Sequence, residues 1–289
     1  IDEADETVVL TLSNPSNASL GTDRVHTYTI SDNDNTPTID FNTTSSSGAE
    51  SISSKVITVD LSAASSQNVT VNYVVTGTAT GSGSGTDYTL ADGTLTINAG
   101  ATSGTITIAT IVNDSLDEVN ETVIVTLSSP GNATLGSDSV HTYTINDNDD
   151  APVVDFNTTI SSGDESVSSK VITVDLSAVS EKNITVNYAV TGTASGSGND
   201  YTLGGGTITI NAGATTSTLT IASIIDDSID EADETVVLTL SNPSNASLGT
   251  DRVHTYTISD NDNTPTIDFN TTSSSGAESI SSKVITVDL

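Results

Sequence analysis

Apolar residues along this chain recur at every second position. Between residues 152 and 265 they fall at Ile172/Val174/Leu176, Ile184/Val186/Tyr188, Val236/Leu238/Leu240 and Tyr256/Ile258, with Thr, Ser and Asn between them. Period two puts alternate side chains on opposite faces, the mark of a half-buried β-strand. No segment has helical period. Short Thr/Val/Ile runs separated by Asn, Gly, Ser and Pro predict an all-β, Ig-like antiparallel sandwich of about seven strands. The runs are A (Val153 to Asn157), B (Lys170 to Leu176), C (Asn183 to Val190), D (Gly206 to Ile210), E (Ser217 to Ile225), F (Glu234 to Leu240) and G (Val253 to Ile258). Phe156, Tyr188, Tyr201 and Tyr256 are the large pieces of the predicted core.

The pattern repeats. Ile1 to Leu61 recurs letter for letter from Ile229 to Leu289, and a diverged copy lies between, with DFNTT at Asp40, Asp155 and Asp268 and VHTYTI at Val25, Val140 and Val253. The spacing of DFNTT is 115 and then 113 residues. The difference falls in a Gly/Ser-rich stretch, Thr76 to Leu90 against Thr191 to Leu203, where a surface loop absorbs it at little entropic cost. Residues 37–151 and 152–265 therefore read as complete repeats of domain size, residues 1–36 as strands F and G of another, and residues 266–289 as strands A and B of a further one. With no initiating Met or leader-like start, the sequence reads as a segment of a longer chain whose incomplete ends are mobile or borrow neighbours.

Charge narrows the function. The 289 residues carry 38 Asp plus Glu against 6 Lys plus Arg, a formal charge of -32. Such a surface repels phosphate backbones and anionic lipid, so no nucleic-acid partner is expected. With no Cys there is no disulfide, thiolate zinc site or Cys nucleophile. If successive strands alternate in direction, the A–B, C–D and E–F loops and the end of G share one pole. That pole receives Asp164, Glu165, Asp200, Asp226, Asp227, Asp230, Glu231, Asp233, Glu234, Asp260 and Asp262; the other receives Glu181 and Asp251, beside Lys182 and Arg252. Two carboxylates about 5 Å apart repel by roughly 3 kcal/mol at an effective dielectric of 20. The pole needs a counter-charge. Calcium suits it, taking six to eight oxygen ligands in flexible geometry, whereas zinc wants His or Cys. His26, His141 and His254 occupy one repeat position inside strand G and read as packed strand residues.

DYTL, the GTLTINAGAT turn, IIDDSIDEADETVVLTLSNPSNASLG and HTYTISDND, in that order, resemble the Calx-beta domain over nearly the whole chain. The resemblance implies an Ig-like sandwich with several calcium ions at one end. Carried over, the implied ligands are Glu165, Asp200, Asp226, Asp227, Glu231, Glu234, Asp260 and Asp262, and in the preceding repeat Glu50, Asp87, Asp114, Glu118, Glu121, Asp147 and Asp149. The sequence departs from the pattern at Asn148 and Asn261, in the middle of the acidic triplet, and at Asn113, where the later copy has Asp226. SDNDNTPTIDF and NDNDDAPVVDF also look like a cadherin linker, but the other cadherin acidic motifs are missing. Both resemblances imply calcium at the junction between consecutive domains.

The expected function is a calcium-binding, head-to-tail array in a secreted or surface-anchored protein, most simply a bacterial stalk or adhesin. Its expected partners are calcium ions, neighbouring repeats and an unidentified surface ligand. The alternative is a calcium-sensing regulatory module of a larger membrane protein. No enzyme is expected: GxSxG, a phosphate loop and a His-acid-nucleophile arrangement are missing, and aromatic residues that would line a sugar cleft make up 3% of the chain.

Overall fold

The computed structural model describes residues 1–82, 86–196 and 198–289, so part of each Gly/Ser-rich stretch lies outside the described residues. The chain divides into two compact units, Ile1–Asp149 and Asp150–Leu289. In the first are β1 (Glu6–Thr11), β2 (Val25–Ile30), β3 (Thr38–Phe41), β4 (Ser45–Ala49), β5 (Ser54–Leu61), β6 (Val69–Gly77), β7 (Gly93–Ile97), β8 (Ser103–Ala109), β9 (Glu121–Gly131), β10 (Thr134–Leu135) and β11 (Val140–Asn146). In the second are β12 (Val153–Phe156), β13 (Ile160–Asp164), β14 (Ser169–Leu176), β15 (Ile184–Gly192), β16 (Gly206–Ile210), β17 (Thr216–Ala222), β18 (Glu234–Ser244), β19 (Ser247–Leu248), β20 (Val253–Ser259), β21 (Asp268–Phe269) and β22 (Val287–Asp288).

Each unit holds one two-sheet sandwich. In the second, β17-β14-β12-β19 form one sheet and β13-β20-β18-β15-β16 the other; the first repeats this as β10-β3-β5-β8 and β4-β11-β9-β6-β7. The period-two residues make the core. Val154, Phe156, Ile172, Val174, Val236, Leu238, Leu240, Tyr256 and Ile258 are all buried, each aliphatic side chain contributing about 1.5–3 kcal/mol. Among the described residues the terminal strands form only two-stranded sheets: β1 pairs with β2 and β21 with β22, with every strand residue exposed.

Three features depart from the sequence reading. First, the A–B connection contains a strand, β13 (β4 in the first unit), which pairs in parallel with β20 (β11), Asp164 standing opposite Ser259. Second, β18 runs past Leu240 through Pro243 to Ser244, because Asn242 adopts a left-handed conformation with φ 48° and the pairing with β15 slips a register. Third, a short strand, β19, then pairs with β12.

The buried histidines explain the first departure. His254 Nδ1 lies 2.5 Å from the Thr158 carbonyl oxygen and Nε2 lies 2.9 Å from Ser161 Oγ. A carbonyl only accepts, so Nδ1 carries a hydrogen and donates it. His141 makes the same pair of contacts with Thr43 O at 2.6 Å and Ser46 Oγ at 2.8 Å. His141 and His254 are thus packed strand residues that fasten the added strand to its neighbour, whereas His26 is exposed in β2.

Candidate metal centre

In the second unit, parallel pairing brings the ends of β13 and β20 to one pole. Glu165, one residue beyond β13, donates its backbone N–H to Ser259 O at 3.1 Å and is 6% exposed. Asp260 and Asp262 follow β20, and one carboxylate oxygen from each of Glu165, Asp260 and Asp262 lies within a 4.8 Å sphere of mutual separation. Glu234 opens β18 opposite Ile258. The connection after β15 is laid against that strand start at Gly192, whose φ of 133° suits glycine and where a Cβ would run into the Thr235 carbonyl. Beyond it, Asp200 accepts the Ser195 backbone N–H. Glu165, Asp200, Asp227, Glu231, Glu234 and Asp260 consequently line one small cavity.

The cavity is electrostatically strained. Burial raises the Glu165 pKa, opposed by a hydrogen bond from the Asn261 backbone and reinforced by Asp260, Asp262 and Asp226. Burial likewise raises Glu234, with a shared hydrogen bond to Asp200 and repulsion from Asp200 and Glu231 adding to it. Glu165 Oε1 and Asp262 Oδ2 are buried without a hydrogen-bond partner. Neither the A–B, C–D and E–F connections nor the stretch after strand G carries a Lys or Arg between residues 191–205, 223–233 and 259–263 or 157–169. The group has the chemistry of a hard-cation site: a cluster of carboxylates, two of whose buried oxygens are unpartnered.

In the first unit the close group is Glu50, Asp114 and Asp149. Glu50 is 3% exposed, and burial, a hydrogen bond with Asp149 and the charges of Asp149, Asp114 and Asp147 push its pKa up to about 7. Asp149 Oδ2 is buried without a partner, and its backbone N–H donates to Asp147 Oδ1 at 3.3 Å. Asp114 Oδ1 accepts the Leu116 N–H at 2.8 Å, which shapes the acidic loop. Asp87, Glu118 and Glu121 lie outside that close group, Asp87 accepting the Thr80 N–H and Glu121 opening β9.

The Calx-beta domain model matches residues 32–149 and again 147–262. The chain belongs to the Calx-beta family. Solved structures similar to it include the calcium binding domain CBD12 of CALX1.1, 18% identical over 71% of this chain and 79% of that one, with a TM-score of 0.35. The apo-form Calx CBD1 domain is 25% identical over 39% of this chain and 100% of its own, with a TM-score of 0.36. The BSP domain of a biofilm associated protein is 18% identical over 77% of this chain and 30% of that one, with a TM-score of 0.20. No curated protein matches the sequence.

The asparagines that depart from the Calx-beta pattern sit inside the site. Asn148 Nδ2 donates to Glu50 Oε1 at 3.2 Å and to Asn113 Oδ1 at 2.8 Å. Asn261 Nδ2 donates to Asp226 Oδ1 at 2.9 Å, so residues 113 and 226 occupy equivalent places. A reading that counts only negative charge misses this, because an amide contributes donors between acids rather than another acid. Asn120 and Asp233 also shape the site: each is exposed, yet Asn120 Oδ1 accepts the Asp147 N–H at 3.1 Å and Asp233 Oδ1 accepts the Asp260 N–H at 3.2 Å.

Proposed function

We propose that the acidic pole of each Calx-beta repeat binds calcium, and that the repeats form a non-catalytic, calcium-stiffened segment of a secreted or cell-surface protein. The observation that carries the reading is the pair of carboxylate groups, Glu50/Asp114/Asp149 and Glu165/Asp260/Asp262, with buried oxygens that have no partner. Calcium fits better than magnesium, which retains most of its water and uses few protein carboxylates. Glu165, Asp260 and Asp262 would hold an ion on one side of the second site, and Asp200, Asp227, Glu231 and Glu234 on the other. The ion supplies positive charge where the protein has concentrated negative charge.

Stiffening follows from where the ligands lie along the chain. Residues 147–152 connect β11 to β12, and Asp147 and Asp149 are within that connection. Ligation of both removes backbone freedom worth about 1–2 kcal/mol per residue fixed, so a bound ion restrains the joint as well as the repeat. Small-angle scattering of the 289-residue chain should show a longer and narrower distribution of shapes in calcium than in chelator. Identical profiles would mean that ions stabilise single repeats and leave the joint free, and would favour a calcium-sensing regulatory module instead.

A further inference from the structure

Of residues 1–30, every one is exposed except Asp2. Asp2 makes a parallel bridge to Ser65, in the connection between β5 and β6 of the first complete repeat. The Ser66 N–H donates to the Asp2 carbonyl at 2.9 Å. Ser65 Oγ lies 3.3 Å from the same carbonyl and 3.1 Å from Asp2 Oδ2, and itself accepts the Gln67 N–H at 3.1 Å. From beneath, the Gly100 N–H donates to the Ser65 carbonyl at 2.8 Å. Ser65 is 1% exposed. These contacts form a built seat: a backbone donor and a hydroxyl are held by a neighbouring turn and aimed at one carbonyl and its carboxylate.

The occupant is identified by the duplication. Asp2 is the counterpart of Asp230, because residues 1–61 equal residues 229–289, and therefore belongs to the acidic connection that precedes strand F. The connection that receives it, Ser62 to Asn68, reads SAASSQN and has no acid to repel it. The second repeat has the same internal bonds: Ser180 is 1% exposed, its Oγ accepts the Lys182 N–H at 3.0 Å, and its carbonyl accepts the Gly213 N–H at 2.9 Å. Glu181 replaces Ser66 there, a change that a backbone donor tolerates.

We propose that the Ser65–Ser66 seat is a docking surface for the Ile-Asp-Glu segment of the acidic loop of a preceding repeat. The seated residue is the immediate neighbour of Glu3, the counterpart of the ligand candidate Glu231. One short segment thus grips the next repeat through Asp2 and faces its own cation site through the following glutamate. That second connection rests on the calcium reading; the seat does not.

The chain has no cysteine, so a designed pair reports the contact cleanly. Paired neighbours in adjacent strands have Cα atoms about 4.8 Å apart, within the roughly 4.4–6.8 Å that a disulfide spans. In the full chain, Asp2→Cys with Ser65→Cys should form an intrachain disulfide about tenfold or more faster than Asp2→Cys with Ser53→Cys, at the opposite pole of the same repeat. The experiment is run in chelator, so failure of calcium binding cannot mask it. Equal rates would overturn the proposal. Removing residues 1–4 provides an arm without new side chains: amide exchange at Ser66 should accelerate, while Gln67, bonded within the seat, should not. Unchanged protection at Ser66 would also overturn it.

Discussion

In chelator, raising the pH from 5 to 8 should lower the melting temperature of the chain by several degrees, and millimolar calcium should restore it. Glu50 is the largest contributor, its pKa raised from 4.5 to about 7 by burial and by Asp149, Asp114 and Asp147; Glu165 and Glu234 shift in the same direction. A carboxyl with a higher pKa folded than unfolded holds more proton in the folded state between the two values. Its stabilising contribution is therefore complete below about 4.5 and is lost as pH rises through about 7. Calcium replaces the proton as counter-charge. At 10 to 100 times its dissociation constant, an ion stabilises the folded state by about 1.4–2.7 kcal/mol, which is several degrees for a domain of this size. A melting temperature independent of pH in chelator would show that these carboxyls are not held against one another. Glu50→Gln with Glu165→Gln should flatten the slope and weaken the response to calcium.

The two complete repeats should differ in affinity, and Asn113→Asp should close most of the difference. The acidic loop reads NDSLDEVNE at Asn113 to Glu121 and DDSIDEADE at Asp226 to Glu234. Asn113 Oδ1 already accepts the Asn148 amide, as Asp226 Oδ1 accepts that of Asn261, so the substitution preserves the hydrogen bond and adds a charge. A negative charge roughly 6 Å from a divalent ion gains about 1.4 kcal/mol at the dielectric constant of water, or about tenfold in affinity. Calorimetry on residues 37–151 should show that gain. Asn120→Asp should change little, because Asn120 and Asp233 accept the same backbone N–H with either side chain. An unchanged affinity for Asn113→Asp would place residue 113 beyond the reach of the ion.

Much of the fold is legible in the sequence. The sandwich followed from period-two alternation, which His141, Tyr143 and Ile145 and likewise His254, Tyr256 and Ile258 display as three buried residues in turn. The acidic pole followed from strand direction, because the A–B, C–D and E–F connections and the end of strand G close at one end, leaving only Glu181 and Asp251 for the other. What escaped was β4 and β13, with sequences SSSGA and ISSGD, which lack apolar alternation. They are edge strands specified by partners: His141 and His254 bond to them, and Gly48 and Gly163 are bare because a Cβ would meet the Tyr143 or Tyr256 hydroxyl at 2.5 Å. Periodicity cannot register a strand held by side chains from its neighbour. The extension of β9 and β18 escaped for a related reason. Pro130 and Pro243 signal an ending, but Ser129 and Asn242, at φ 47° and 48°, turn the chain so that pairing resumes. The bridging role of Asn148 and Asn261 depends on which acids lie on either side, and only the folded arrangement supplies that.

Calorimetric titration of the 289-residue chain with calcium chloride tests the central claim most directly. The account predicts saturable binding of more than two ions per chain, with dissociation constants of about 0.1–1 mM, the range of extracellular calcium modules, and loss of part of that binding in Glu165→Gln. A titration with no saturable heat up to about 10 mM calcium, well beyond that range, would contradict it.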